Sequence, residues 1–229
     1  MRPEEQRKRL VALVDVNSFY VSCERVFDPS LKARPVVVLS NNDGCAVAIS
    51  PEARRLGITT GAPWFQLAPA AERMGLIARS SNYELYGDMS HRLLQVVSEH
   101  SSEVEKYSID EAFAVLRSTP SEAAARGRAL RQDVARRLDL PVGVGVGRTK
   151  TLAKLANLAA KKMPAMQGVC VWEDLDPDYR ESLLARLPLD RVWGVGGRTV
   201  KRLHALGIEY VAQLRDADPR RSAGASASL

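Results

Sequence analysis

The sequence predicts an α+β fold built on a mixed β-sheet. Three observations carry that expectation. Apolar, β-branched runs alternate with helical patterns as far as Trp172. One alternating segment, residues 104–116, reads as a hairpin, which a purely parallel sheet would not contain. After Trp172 the pattern turns to helices only, which places a domain boundary near residue 172.

Each element has a local cause. Residues 10–16 (LVALVDV) are an apolar, partly β-branched run ending in Asp15-Val16-Asn17, the pattern of a buried strand. Residues 35–39 (PVVVL) read as a second strand, Asn41-Asn42-Asp43-Gly44 as a turn, and residues 45–49 as a short strand. Residues 51–56 open with Pro51, which suits a first helical position, and stop at Gly57. Residues 83–100 space Leu85, Met89, Leu93, Val96 and Val97 at helical intervals. The hairpin at 104–116 holds an acidic corner, Ser108-Ile109-Asp110-Glu111, at or beside its turn. Residues 121–138 form an Ala- and Arg-rich helix, and 141–147 (PVGVGVG) alternate strictly as a strand. A helix at 149–162 and a short strand at 168–172 follow. A Gly-rich break at 194–197 interrupts the helical remainder, and no internal repeat is present. The last ten residues (RRSAGASASL) are low-complexity and read as unstructured.

The 229 residues carry 33 Lys plus Arg against 27 Asp plus Glu, a net charge of +6, with 45% hydrophobic and 26% charged residues. That balance excludes a disordered chain and admits a polyanionic partner. No apolar run approaches the roughly 18 residues of a membrane span. Residues 1–10 are charged with no apolar stretch behind them, so the expectation is no secretory leader and a cytoplasmic, nucleoid-associated protein. Cys23, Cys45 and Cys170 share no CxxC spacing, and His91, His100 and His204 are scattered. Neither a disulfide framework nor a zinc site is expected.

Four constellations carry chemistry. Asp15 ends a strand and Asp110-Glu111 sit in a hairpin of the same predicted sheet. Carboxylates meeting at one sheet end suit a pair of divalent cations, since Mg²⁺ takes hard oxygen ligands. An exposed acidic hairpin tip fits the same residues. The helix at 149–162 holds Lys150, Lys154, Lys161 and Lys162 and no acidic residue. At 100° per residue Lys150, Lys154 and Lys161 fall within roughly 40° of one another, opposite a stripe of Leu152, Leu155, Ala156 and Ala159. This reads as a cationic ridge with nothing of opposite sign beside it, or as an ordinary solvated face. Val192-Trp193-Gly194-Val195-Gly196-Gly197, a helix at 199–206 and Gly207-Ile208 make a helix-hairpin-helix pattern, with Arg198, Lys201 and Arg202 in its first turns. Such a unit grips phosphate backbone without reading sequence. Phe19 and Tyr20 lie close enough to Asp15 to sit under a sugar ring, or to be core aromatics.

Taken in order, these pieces resemble the Y-family translesion DNA polymerases, and within them the UmuC-like branch. The matching runs are residues 15–20 with Ser22-Cys23-Glu24, 35–44, 61–65, 81–90, 107–113, 142–162 and 192–196, so the likeness extends from about 11 to 218. It implies a right-handed polymerase with a palm at 10–18 and 77–170, fingers at 19–76 and a partial thumb at 171–218. It implies two Mg²⁺ held by Asp15, Asp110 and Glu111 with the Val16 carbonyl. Tyr20 falls on the steric gate that excludes ribonucleotides, and Phe19 backs the nucleotide pocket. Arg54 and Lys161 fall on triphosphate contacts. Lys150, Lys154, Gly194, Gly196, Arg198 and Lys201 fall on DNA contacts.

The implied activity is error-prone, template-directed addition of dNTPs opposite damaged bases, in DNA repair and SOS mutagenesis. The implied partners are primer-template DNA, dNTP, a processed UmuD-like accessory protein and the sliding clamp. Ile49-Ser50 stands where UmuC-like chains usually carry Arg-Asn. The little-finger domain of the family has no counterpart in the sequence, and residues 220–229 do not resemble it. A rival reading is therefore a catalytically feeble remnant that only binds DNA or a partner. A nucleotide cyclase on a similar palm is disfavoured by the helix-hairpin-helix.

Overall fold

The apolar run near the start of the chain becomes the centre of the larger sheet. The computed structural model describes residues 8–218; residues 1–7 and the tail expected to be unstructured, 219–229, lie outside the described residues. In chain order the elements are β1 (Lys8–Val16), α1 (Phe19–Phe27), β2 (Val36–Leu39), β3 (Ala46–Ile49), α2 (Pro51–Arg55), α3 (Trp64–Met74), β4 (Ile77–Arg79), α4 (Tyr83–His100), β5 (Val104–Lys106), β6 (Glu111–Ser118), α5 (Pro120–Leu138), β7 (Val142–Gly147), α6 (Lys150–Lys162), β8 (Val169–Val171), α7 (Pro177–Arg186), α8 (Gly197–Ala205) and α9 (Val211–Asp216). The strands form a five-stranded sheet, β5-β6-β1-β7-β8, and a three-stranded sheet, β3-β2-β4. Both are mixed: β7/β8 and β2/β4 are parallel, the other pairs antiparallel.

Strand periodicity sorts β1 onto two faces. Leu10, Ala12, Val14 and Val16 pack with Tyr86, Met89, Leu93, Val96 and Val97 of α4 and Ala123, Leu130 and Val134 of α5. Val11 and Leu13 turn the other way, with Phe113 and Ala153 of α6. Asp15 continues this second row, which brings it under α6. The VGVGVG run of β7 repeats the division. Its valines join the α4/α5 core, while Gly143, Gly145 and Gly147 lie against α6 so closely that any Cβ would strike it. At Gly145 the atoms in the way are backbone, so glycine is needed there for close approach of backbone to backbone, while at Gly143 the space is taken by the Asn157 and Lys161 side chains.

The small sheet closes its own core of Val37, Leu39, Ala46, Ile49, Ala53, Ile58 and Leu76. Ser50, fully buried, caps α2 by accepting from the Ala53 N–H and also accepts from the Val36 N–H. Two helices go unannounced by the sequence pattern. α1 has no side-chain cap, because its N-cap residue Ser18 sits at φ 47° and turns its hydroxyl to the Ile49 carbonyl. α3 contains Pro69, which reads as a breaker. β4 is only three residues long and exists by pairing with β2.

At the expected boundary near 172 the chain remains packed. Trp172, Leu175, Leu184, Leu187 and Val211 share a core with Leu155, Ala156, Ala159 and Ala160 of α6. One helix thus touches the large sheet on one side and the C-terminal helices on the other. Among the described residues no helix is long and apolar enough to cross a membrane. The three cysteines are unpaired thiols; burial pushes Cys23 up to about 12 and Cys170 up to about 11, so neither is a ready nucleophile.

Candidate active site

The site grows from one row of the sheet. Asp15 stands opposite Glu111 on β6 and opposite Gly143 on β7. Asp110 precedes Glu111 in the hairpin turn, and its carbonyl accepts from the Val16 N–H at 3.1 Å. Ser108 organises that turn. Its hydroxyl accepts from the Asp110 and Glu111 N–H groups and donates to Asp110 Oδ1 at 2.6 Å. The backbone register places Asp15 beside Glu111, with Asp110 next to it in the turn, at one end of the sheet.

Helix α6 answers those carboxylates side chain by side chain. Lys161 Nζ pairs with Asp15 Oδ1 at 2.7 Å. Asn157 Nδ2 donates to Asp15 Oδ2 at 2.9 Å. Lys154 Nζ donates to both Glu111 oxygens at 3.1 Å. Lys150 pairs with Glu105 at 2.6 Å. The reading of an unneutralised cationic ridge is therefore corrected. Its balancing charge comes from β1, β5 and the acidic hairpin, which one helix's own sequence does not reveal. Lys150 and Lys154, expected at DNA, are both engaged with carboxylates of the sheet. Burial pushes the Glu111 carboxyl above its usual range; Asp15 and Asp110 push the same way and Lys154 opposes them.

Asn157 was not among the expected site residues. Its signal is a lone Asn in an apolar helical stripe, three residues after Lys154 and four before Lys161. It is buried, and its Oδ1 has no partner among the described residues.

Beside this row opens a pocket of about 370 Å³ lined by Asp15, Val16, Phe19, Tyr20, Arg54, Thr60, Asp110 and Lys161, with Ile49 and its neighbours forming one wall. Six residues drawn from three distant sequence motifs thus share one cavity with Arg54, and Thr60 is an addition to them. Phe19 is buried. Tyr20 is held by its neighbours on α4: its ring stacks on Tyr86 at 4.3 Å and 12°, and meets Tyr83 edge-on at 6.0 Å. Tyr86 is fully buried and donates to Glu24 Oε1 at 2.7 Å. Burial raises the Tyr20 pKa, with Tyr83 and Asp110 adding to it, so the hydroxyl stays neutral and the ring acts as a wall.

The helix-hairpin-helix lies apart from the pocket. Gly194 has φ 87°, a conformation glycine alone adopts cheaply, and Gly196 is the N-cap of α8. Gly194, Gly196 and Gly197 have open space where a side chain would be. Arg198 and Lys201 are exposed on α8. Trp193, just before the hairpin, reaches back to the acidic corner and donates from Nε1 to the Tyr107 hydroxyl at 2.8 Å.

The donor set suits a hard divalent ion: three carboxylates and the Val16 carbonyl, all oxygen. Among the described residues, however, no three acidic, His or Cys side chains converge on one point. Each carboxylate is turned to its own internal partner, as the Lys154, Lys161, Asn157 and Ser108 contacts describe.

Comparison with known proteins follows this geometry. A family model described as "impB/mucB/samB family" matches residues 14–158, and one described as "IMS family HHH motif" matches residues 177–208. Protein UmuC of Salmonella typhimurium is 50% identical over 210 residues, covering 90% of this chain and 49% of that protein. DNA polymerase IV 1 of Bacillus subtilis is 31% identical over 218 residues, covering 93% of this chain and 50% of that protein. The chain spans about half the length of the curated relatives it matches. Among solved structures, the insertion ternary complex of Dbh DNA polymerase superposes with a TM-score of 0.79 at 26% identity, covering 95% of this chain and 63% of that one. DinB from Sulfolobus solfataricus gives a TM-score of 0.78 at 25% identity, covering 96% of this chain and 63% of that one. With more than half its length matched by the family model, its helix-hairpin-helix matched in turn, and the mixed α+β fold of those polymerases, this chain belongs to the impB/mucB/samB family, the UmuC-like branch of the Y-family.

Proposed function

We propose that this chain catalyses DNA-directed DNA synthesis of the translesion type, joining dNTPs to a primer 3′-hydroxyl opposite damaged template. The observation that carries the reading is the single cavity shared by Asp15, Tyr20, Arg54, Asp110 and Lys161. Residues 10–18 and 77–170 serve as palm, 19–76 as fingers and 171–218 as part of a thumb. Asp15, Asp110, Glu111 and the Val16 carbonyl hold two Mg²⁺, which when bound supply positive charge to the reacting phosphate and activate the attacking hydroxyl. Arg54 and Lys161, both lining the cavity, offer cations to the triphosphate. Phe19 and Tyr20 form the floor beneath the sugar, and the stacking on Tyr86 keeps the Tyr20 ring from yielding. Error-prone repair in the cytoplasm, a processed UmuD-like accessory protein and the sliding clamp complete the proposed setting. Primer extension by the chain with dNTPs and Mg²⁺ tests the reading directly; a template-independent or absent product overturns it.

Tyr20→Ala is expected to raise the ratio of rNTP to dNTP incorporation. A 2′-hydroxyl forced against a rigid ring costs about 1–3 kcal/mol, so the ratio rises roughly ten- to hundredfold once the ring is gone. An unchanged ratio means that Tyr20 is only a packing residue.

DNA binding rests on phosphate contacts from Arg198, Lys201 and the backbone around Gly194 and Gly196, with Lys150 at the palm edge once it leaves Glu105. Binding is expected to be indifferent to duplex sequence. Each phosphate contact contributes about 0.9 to the slope of log K against log salt, so Arg198→Ala with Lys201→Ala lowers the slope by roughly 1.8. Fluorescence anisotropy across a salt series measures it, and a slope unchanged by the double substitution removes α8 from the interface.

A further inference from the structure

Two of the carboxylates proposed to hold metal, Asp15 and Glu111, pair with side chains of α6, and one of its lysines also faces Trp193 from the segment before α8. Lys154 Nζ, bonded to both Glu111 oxygens, sits 4.4 Å from the centroid of Tyr107 and 5.9 Å from those of Phe113 and Trp193. The three rings brace one another: Tyr107 and Trp193 meet edge-on at 5.6 Å, Tyr107 and Phe113 at 5.5 Å, and Phe113 and Trp193 at 6.1 Å. Tyr107 and Phe113 flank the acidic corner, while Trp193 comes from the segment just before the helix-hairpin-helix and is tied to Tyr107 by its indole N–H. An ammonium ion ringed by aromatic faces is stabilised without a carboxylate. Lys154 therefore has two anchors, Glu111 and the cage, and the cage is complete only while Trp193 is docked.

We infer that Lys154 is a positioning residue that links the docked state of the helix-hairpin-helix to metal loading. In this structure it is bonded to Glu111. When Glu111 turns to a divalent ion, the ammonium stays on the Tyr107–Phe113–Trp193 cage. The ring contacts count for more once the ammonium has lost its carboxylate and relies on them alone, so a docked Trp193 lowers the cost of that release, and docking and metal binding favour each other reciprocally. The inference rests on the proposed metal-holding role of Asp15, Asp110 and Glu111 and deepens it.

The test is a double-mutant cycle on the full chain, with Mn²⁺ as the probe and free Mn²⁺ counted by electron paramagnetic resonance. Lys154→Gln removes the competitor and is expected to tighten Mn²⁺ binding about three- to tenfold. Trp193→Ala leaves Lys154 on Glu111 and is expected to weaken it by a similar factor. Tyr107→Phe, which removes only the hydroxyl that accepts from the indole, is expected to act in the same direction as Trp193→Ala with a smaller effect. In the Lys154→Gln background, Trp193→Ala is expected to have no effect on Mn²⁺ binding. Trp193 is 39% exposed, so its truncation leaves the core intact, and a thermal unfolding scan checks this. A Trp193→Ala effect of equal size with and without Lys154 assigns Trp193 a purely structural role and overturns the coupling. So does Mn²⁺ affinity that neither variant changes. Mn²⁺ binding that survives Asp110→Ala refutes instead the metal-holding reading on which the coupling stands.

Discussion

Asp110→Ala is expected to abolish nucleotide incorporation, by about a thousandfold or more, while leaving the fold and DNA binding nearly unchanged. The size follows from the chemistry proposed: a carboxylate that helps hold the divalent ions contributes several kcal/mol to the reaction barrier, and each 1.36 kcal/mol is about tenfold in rate. The specificity follows from the structure. Asp110 belongs to the turn through its backbone, whose carbonyl receives the Val16 N–H, and alanine keeps that bond. Among the described residues its side chain accepts a hydrogen bond from the Ser108 hydroxyl, at a partly exposed position. Little packing is lost. Glu111→Ala is a less clean probe, because it also strips Lys154 of its carboxylate at a half-buried site. Single-turnover primer extension, with anisotropy for DNA affinity and calorimetry for stability, separates the effects. An Asp110→Ala protein that extends primers at a rate comparable to the parent would remove the metal assignment.

Gly145→Ala is expected to be the most damaging conservative change in the sheet. A Cβ at this position would meet the Ala153 carbonyl oxygen and the Asn157 N–H nitrogen and lie 2.6 Å from the Asn157 Cα. All three are backbone atoms of α6, so no side chain can rotate away. The whole helix must shift from β7, and with it Lys154, Asn157 and Lys161. A loss of about 3 kcal/mol or more is expected, at the upper end for overpacking. Activity should fall even under conditions where the variant is still folded, because the helix carries the partners of Asp15 and Glu111. Urea denaturation measures the first effect and primer extension well below the midpoint measures the second. A variant within about 0.5 kcal/mol of the parent would show that α6 is not seated on β7 as described.

Much of this was legible in the residues. Helix α4 matches the span expected from five apolar side chains at helical spacing, and the structure adds Asn82 as the cap of its first turn. The acidic corner was placed at or beside its hairpin turn, and the structure has Asp110 in the turn and Glu111 as the first residue of β6. Less legible were α1 and α3. Their formation depends on what they pack against, and their end signals are weak: an N-cap serine committed to another strand in one, an internal proline in the other. Asn157 stands out locally only as a lone Asn in an apolar stripe, and its partner Asp15 is 142 residues away; nothing local marks Thr60, which enters the site only as part of the pocket lining.

The sequence by itself determined the mixed α+β class, the order of most elements apart from α1, α3 and β4, the family likeness and which side chains carry charge near the proposed chemistry. Those are consequences of periodicity, turn residues and motif order, all of which act over a few neighbouring positions. The tertiary structure alone decided what faces those charges. A helix with four lysines and no acid reads as a cationic ridge for phosphates. Seated on the glycine row of β7, it instead delivers Lys161 and Asn157 to Asp15 and Lys154 to Glu111. Charge balance is set by distance in space, and Asp15 and Asn157 are 142 residues apart in the chain but 2.9 Å apart in the fold.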